Sequence, residues 1–410
     1  MARKIIPNLI ALVLAVLFTE SLFCLIPVRA LDQSRPHHQT FCRYDPLLGW
    51  WHVPGRKARY ATDEYSVELE FNSQGVRGPE YAFDKPPGTY RVLVLGDSFA
   101  EGYSAPFSHV FSEYLRRYLE ERLSRPVEVI NAGIGGFSTD QEMIFYKARG
   151  ARYRPDLTIV LFYFNDVLAN SQPGFHRGYK PVFSLDNEGK LVLKNVPVPK
   201  PASGYEEETE EAAFWTLPKT RALLGAVARN IPVLPWLNPK KQREDMRLQE
   251  GAGASAEKGA VPAEYFAWNT VGSPVINQSW AMTEVILRQF KEETARTGSG
   301  FLVFYVPEKA SIYPKIWDSL KLKYGLAAPL WDITHDDRML EGICRRNNID
   351  CVNPLPPYAD ETMRLSAFNK GLFYDIDEHW NIRGHEFTGR LLADVIMEKY
   401  FPDGTKGHAF

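Results

Sequence analysis

Short continuous apolar runs alternate with helix-like apolar stripes between Arg91 and Phe164. Residues 92–95, 127–130 and 157–164 read as strands buried on both faces. Between them, 110–123 places Phe111, Tyr114, Leu115, Tyr118 and Leu119 on one helical side, and 139–148 is also predicted helical. The pattern breaks at about residue 171 and resumes near 268. There, 276–297 carries Trp280, Val285, Ile286 and Phe290 at helical spacing. A fourth strand is predicted over 301–306, a helix over 339–345, a fifth strand over 349–352 and a last amphipathic helix over 384–400. Alternation at this spacing predicts a parallel sheet covered by helices.

Three segments fall outside the pattern. Residues 31–90 are rich in turn signals such as Asp45-Pro46 and Pro54-Gly55, with one strand in which Tyr65, Val67, Leu69 and Phe71 alternate with Ser66, Glu68 and Glu70. They are expected to pack on the main domain as an N-terminal extension. Residues 171–267 hold a Pro/Glu-rich stretch, a charged run and a small-residue run, with apolar islands such as Ile231, Leu234 and Trp236. This reads as an insertion or lid. It follows Asn165 directly, at the end of a strand where ligand loops gather, so it is expected to border the site mouth. Residues 1–30 set Arg3 and Lys4 before a long apolar run, which reads as an export signal or an uncleaved signal anchor. The chain is therefore expected to be exported or anchored in the inner membrane, with its bulk periplasmic or otherwise extracytoplasmic.

Charge narrows the partners. Lys and Arg number 48 against 50 Asp and Glu, a net charge of -2, so there is no basic surplus to neutralise nucleic-acid phosphates. The four cysteines exclude a disulfide-stapled miniprotein. Cys344 and Cys351 are close enough to pair in an oxidising compartment, and Cys42 either stays free or pairs with one of them. His37, His38, His52, His109, His176, His335 and His408 are scattered, so neither a metal nor a cofactor is called for.

Four blocks carry candidate chemistry. In Gly96-Asp97-Ser98-Phe99, Ser98 follows a buried strand, as a nucleophile or a helix cap. The cluster Gly133-Ile134-Gly135-Gly136 follows the second strand and lets backbone amides approach a ligand, or serves a turn. After the third strand, Asn165 in Phe164-Asn165-Asp166 aims an amide into the crevice or caps a loop. Near the C-terminus, His379 in Asp375-Ile376-Asp377-Glu378-His379-Trp380-Asn381 is a candidate base, with Asp377 two residues earlier and on the same side of an extended segment. His385 reads as structural or as a rim residue.

Together these blocks resemble the SGNH, or GDSL-type, hydrolase superfamily over roughly 91–170 and 268–400. The resemblance implies an α/β fold: a three-layer α/β/α sandwich around a five-stranded parallel sheet. It implies Ser98 as nucleophile, His379 as base with an aspartate shortly upstream, and an oxyanion hole from the Ser98 and Gly136 amides and the Asn165 side chain. Two positions depart from the family pattern. Tyr163 stands where the third block carries glycine, and Ile376 stands where the last block carries its aspartate. The run Asp377-Glu378-His379-Trp380-Asn381 resembles the membrane-associated and polysaccharide-modifying branches, and Asp377 is preferred to Asp375. The implied activity is hydrolysis of an ester on an acylated small molecule, a glycan or a cell-envelope substrate. An O-acyltransferase using the same Ser-His-Asp chemistry and an inactive glycan-binding protein are the rivals.

Overall fold

The computed structural model describes residues 41–175, 178–200, 261–368 and 370–402. The expected signal or signal anchor at 1–30 and residues 201–260 of the expected insertion lie outside the described residues. Among the described residues no helix is long and apolar enough to cross a membrane. All of them except Ala61–Asp63 belong to one compact unit.

The chain opens with two small hairpin-like pairs. Strands β1 (Cys42–Asp45) and β2 (Gly49–His52) are antiparallel, and β3 (Lys57–Ala61) pairs with β4 (Ser66–Glu70). In β4, Val67 and Leu69 are buried while Ser66, Glu68 and Glu70 face solvent, as a period of two requires. The central strands follow: β5 (Tyr90–Gly96), β6 (Val127–Asn131) and β7 (Leu157–Phe162). Short pairs β8 (Gly174–Phe175) with β9 (Gly178–Tyr179), and β10 (Val182–Leu185) with β11 (Leu191–Lys194), occupy the described start of the expected insertion. Strands β12 (Gly300–Tyr305) and β13 (Asp350–Val352) complete the main sheet.

The main sheet has five parallel strands in the order β13-β12-β7-β5-β6. Every residue of β5 and β7 is buried, which explains their unbroken apolar runs. The third strand stops at Phe162 rather than Phe164. The amides of Asp166 and Val167 bond back to the carbonyls of Tyr163 and Phe164, so the chain has already turned. Tyr163 and Phe164 are still buried, so hydrophobicity alone does not mark the strand end.

Helices cover both faces, giving the three-layer α/β/α sandwich. In chain order they are α1 (Ser98–Glu101), α2 (Phe111–Leu123), α3 (Thr139–Ala148), α4 (Asp166–Ala169) and α5 (Pro274–Arg296). Then come α6 (Lys309–Ile312), α7 (Pro314–Tyr324), α8 (His335–Arg346), α9 (Leu355–Ser366) and α10 (Ile382–Tyr400). Helix α2 packs along α10, and α5 packs on α3 and β12. Cys344 on α8 and Cys351 on β13 are thiols, and the neighbouring Cys344, with burial, raises the Cys351 thiol well above its usual range.

This order places the site. The first strand of the sheet in sequence is β5. The chain crosses to β6 on one side of it, then returns to β7 on the other. Loops leaving β5 and β7 therefore diverge and open a crevice at their carboxyl ends. Ser98 follows β5 and Asn165 follows β7, so topology alone brings two of the sequence blocks to the same crevice.

Candidate active site

Local packing dictates how Ser98 is presented. Gly96 has φ of +151°, and a Cβ there would lie 2.7 Å from the Ala100 Cβ and 2.9 Å from the Leu161 Cβ. Only glycine allows β5 to turn so closely into α1. Asp97 caps that helix by accepting the Phe99 amide at 2.9 Å. The capping role open to Ser98 in the sequence thus falls to its neighbour, and Ser98 Oγ is turned elsewhere.

It is turned toward the C-terminal block. His379 Nε2 lies 2.7 Å from Ser98 Oγ, and His379 Nδ1 lies 2.5 Å from Asp377 Oδ1. An ionised carboxylate only accepts, so the Nδ1 proton points at Asp377 and the Nε2 lone pair faces the serine hydroxyl. Asp377 Oδ1 also accepts the His379 amide at 2.9 Å, closing a tight turn over residues 377–379. The two side chains meet through this turn, not through extended alternation. Asp375 is exposed, and its amide bonds Glu64 Oε1 at 2.7 Å.

The second oxygen of Asp377 accepts the Tyr65 hydroxyl at 2.7 Å. Partial burial pushes the Asp377 carboxyl upward. The hydrogen bond and charge of His379, with the Tyr65 hydroxyl, outweigh it and hold Asp377 well below the usual carboxylate range. Tyr65 is pushed far above the usual phenol range by burial and then by the Asp377 charge, so it stays a donor. The imidazole packs against Phe99 and Tyr103, with ring centroids 4.7 Å and 4.9 Å away. The Tyr103 hydroxyl lies 3.1 Å from Nε2 and 3.3 Å from Nδ1, which puts it over the ring.

The loop after β6 is laid onto α1. A Cβ on Gly133 would come within 2.3 Å of the Glu101 nitrogen. Buried Glu101 accepts the Gly135 amide at 2.6 Å, and Trp50 Nε1 donates to the Gly135 carbonyl at 3.2 Å. These bonds fix the turn that presents Gly136. Asn165 begins α4 but makes no capping bond with its side chain. Its neighbour Asp166 is buried and accepts the Thr139 hydroxyl at 3.1 Å, tying this block to α3. Burial, then the charge of Asp97, pushes Asp166 well above the usual carboxylate range.

Tyr163, in the position of the family's glycine, is buried against Phe99 with centroids 4.8 Å apart. Its hydroxyl donates to Glu308, which follows β12. Burial and the charge of Glu378 push Glu308 up to about 7. His385 is a structural residue of α10. Its Nδ1 accepts the Phe111 amide at 3.4 Å, so Nε2 carries the proton and donates to Ser104 Oγ at 3.1 Å. Burial, followed by the Arg77 and His379 charges, lowers its pKa to about 3.

Sequence reasoning missed Tyr65 as a partner of Asp377, and also Trp50, Glu101 and Tyr103. Tyr65 was visible only as an inward position of a strand, and nothing in its pattern pointed 312 residues ahead. Among the described residues no group of three or more His, Cys, Asp or Glu is arranged to hold a metal ion. A cavity of about 260 Å³ lies among Arg43, Trp51, Phe83, Phe145, Arg149 and Arg152 and includes none of these site residues.

No curated protein matches the sequence. Solved structures that resemble it are distant. TesA aligns at 10% identity and a TM-score of 0.36, over 76% of this chain and 98% of its own. Axe2, an acetylxylan esterase from Geobacillus stearothermophilus, aligns at 12% and 0.38, over 75% and 94%. A lipase/acylhydrolase from Enterococcus faecalis aligns at 10% and 0.36, over 76% and 96%. Residues 94–255 match the model of the GDSL-like Lipase/Acylhydrolase family, a span that holds Ser98, Gly136 and Asn165 and ends before His379. The match covers less than half of the chain and favours no branch of that family.

Proposed function

We propose that this protein is a serine-dependent ester hydrolase acting on an O-acyl group of a glycan or cell-envelope substrate, with Ser98, His379 and Asp377 as its triad. The observation that carries the reading is the hydrogen-bonded chain from Ser98 Oγ through both ring nitrogens of His379 to Asp377. In this reading Ser98 Oγ attacks the ester carbonyl carbon while its proton passes to His379 Nε2. Asp377 holds the ring and balances the imidazolium without taking the proton. The oxyanion is received by the Ser98 and Gly136 amides and the Asn165 side chain. Collapse of the tetrahedral intermediate expels the alcohol, which takes the proton from Nε2. Water, deprotonated by His379, then attacks the acyl carbonyl; the bond to Ser98 Oγ breaks, Oγ takes the proton back from Nε2, and the acid departs.

The envelope substrate rests on reading Arg3-Lys4 and the apolar run after them as an export signal or signal anchor, and on the 171–267 insertion, which suits a substrate larger than a free acetate ester. Both rest on the sequence. An O-acyltransferase would differ only in the second step, where an alcohol replaces water. The full-length chain should be incubated with acylated glycans, with and without an unacylated acceptor, and the products followed by mass spectrometry. Free acid without acceptor acylation supports the hydrolase. Acylated acceptor at the expense of free acid replaces it with the transferase.

A further inference from the structure

The turn that carries Asp377 is gripped from two sides by opposite charges. On one side, the Glu64 carboxylate accepts three consecutive backbone amides: Asp375 at 2.7 Å, Ile376 at 3.0 Å and Asp377 at 2.6 Å. On the other, the buried Lys309 ammonium donates to the carbonyls of Tyr374 at 2.6 Å, Asp375 at 2.8 Å and Asp377 at 3.3 Å. The Asp377 peptide units are thus fixed on both their N–H and C=O sides. The remaining freedom is that of the side chain, and Tyr65 and His379 remove it by occupying separate carboxylate oxygens.

We infer that Glu64 and Lys309 are positioning residues that hold Asp377 against His379, so that the triad is assembled by the N-terminal extension and the first residue of α6 together. The inference rests on the triad reading above. Charge suits the task. Amide donors converging on an anion and carbonyls converging on a cation make charge-assisted bonds, roughly twice as strong as neutral ones. An exposed turn without such bonds would sample other conformers, and Ile376 at its tip is 78% exposed with little packing to hold it. The arrangement also accounts for Ile376 itself. The aspartate stands at 377 rather than 376, and its orientation comes from this double grip and the tight turn to His379.

The test uses Glu64→Gln and Lys309→Met in the full chain, with Glu68→Gln, an exposed charge on β4 four residues further on, as control. Glutamine offers one acceptor oxygen where three amides need two, and its NH₂ group faces a backbone N–H. Two readouts are needed: kcat and KM against pH, and the far-downfield NMR signal of the His379 Nδ1 proton, assigned by its loss in Asp377→Asn. Both grip variants are expected to lower kcat about 10–100-fold, as for a small misplacement of a reacting group, with KM within about twofold. The downfield signal should weaken as Nδ1 loses its fixed partner. Lys309→Arg, which keeps a multi-donor cation, should recover part of the activity. If one variant fails to fold, the other still decides. Both variants retaining the parent's signal and kcat would overturn the inference. A parent that shows the downfield signal but cleaves no ester would defeat the hydrolase reading, while weakening of that signal in Glu64→Gln would still support the grip.

Discussion

Replacing Asp377 by Asn tests the orientation of the base with little change in shape. Asp377 Oδ1 now receives both the Nδ1 proton and the amide of His379, and Oδ2 receives the Tyr65 hydroxyl. Asparagine has one acceptor oxygen for these three donors. If that oxygen stays on His379, the NH₂ group can only donate to the Tyr65 hydroxyl, which burial keeps protonated and which must then turn its own proton away from residue 377. If it turns to Tyr65, the NH₂ group donates to Nδ1 and drives the ring proton to Nε2. Nε2 then faces Ser98 Oγ as a donor and cannot take its proton. In a Ser-His-Asp triad the wrong tautomer costs about 10³–10⁴ in kcat, or roughly 4–5.5 kcal/mol of barrier. The assay is steady-state hydrolysis of an activated aryl ester, with circular dichroism and Tm showing that the variant is folded. Asp375→Asn is the internal control, because the Asp375 side chain is exposed and its turn contacts are made by its backbone. The reasoning is refuted if folded Asp377→Asn keeps activity within tenfold of the parent, or if Asp375→Asn loses more.

Two further outcomes follow from buried titratable groups. The Glu308 carboxyl is raised from 4.5 to about 7, so between those values the folded state binds more protons than the unfolded state and stability falls as pH rises. Glu308→Gln removes this, and its stability relative to the parent should rise by about 3 kcal/mol between pH 4 and pH 8, read by denaturant unfolding; a difference that does not change with pH contradicts the assignment. His385, lowered to about 3 by burial, should stay neutral with its proton on Nε2, so its NMR shifts should not move between pH 5 and pH 8. A titration in that range would show that the Ser104 and Phe111 contacts were misread.

The sequence made the scaffold legible because β5, β7 and β12 are buried on both faces and lie among helices with clear apolar stripes. It made four of the site blocks legible because each sits where a strand ends or a turn is forced. Other elements left no such mark. Helix α7 has no fully buried residue: Ile316, Trp317, Leu320 and Tyr324 share one side but are only half-buried, and Leu322 is 88% exposed, which blurs the pattern. Helix α9 opens Leu355-Pro356-Pro357, whose prolines look like breakers in the sequence but stand in its first turn, where proline is tolerated. Hairpin β1–β2 reads Cys42-Arg43-Tyr44-Asp45 and Gly49-Trp50-Trp51-His52, without alternation, because β2 is buried throughout. Glu64, Tyr65 and Lys309 were illegible for a different reason. Their roles depend on contacts made across the fold, and a Glu or Lys beside a strand reads as solvated surface until those contacts are seen.

The central claim is that Ser98 forms a covalent acyl intermediate. It is tested most directly by intact-mass spectrometry of the full chain quenched during turnover of an activated acyl ester, beside Ser98→Ala. The substitution removes one hydroxyl from a helix capped by Asp97, so the variant should fold with a Tm close to the parent. The account predicts that the parent gains the mass of one acyl group, mapped to the peptide containing Ser98, and that Ser98→Ala gains none and has no turnover above background. Full turnover by folded Ser98→Ala, or an acyl adduct on another residue of the parent, would contradict it.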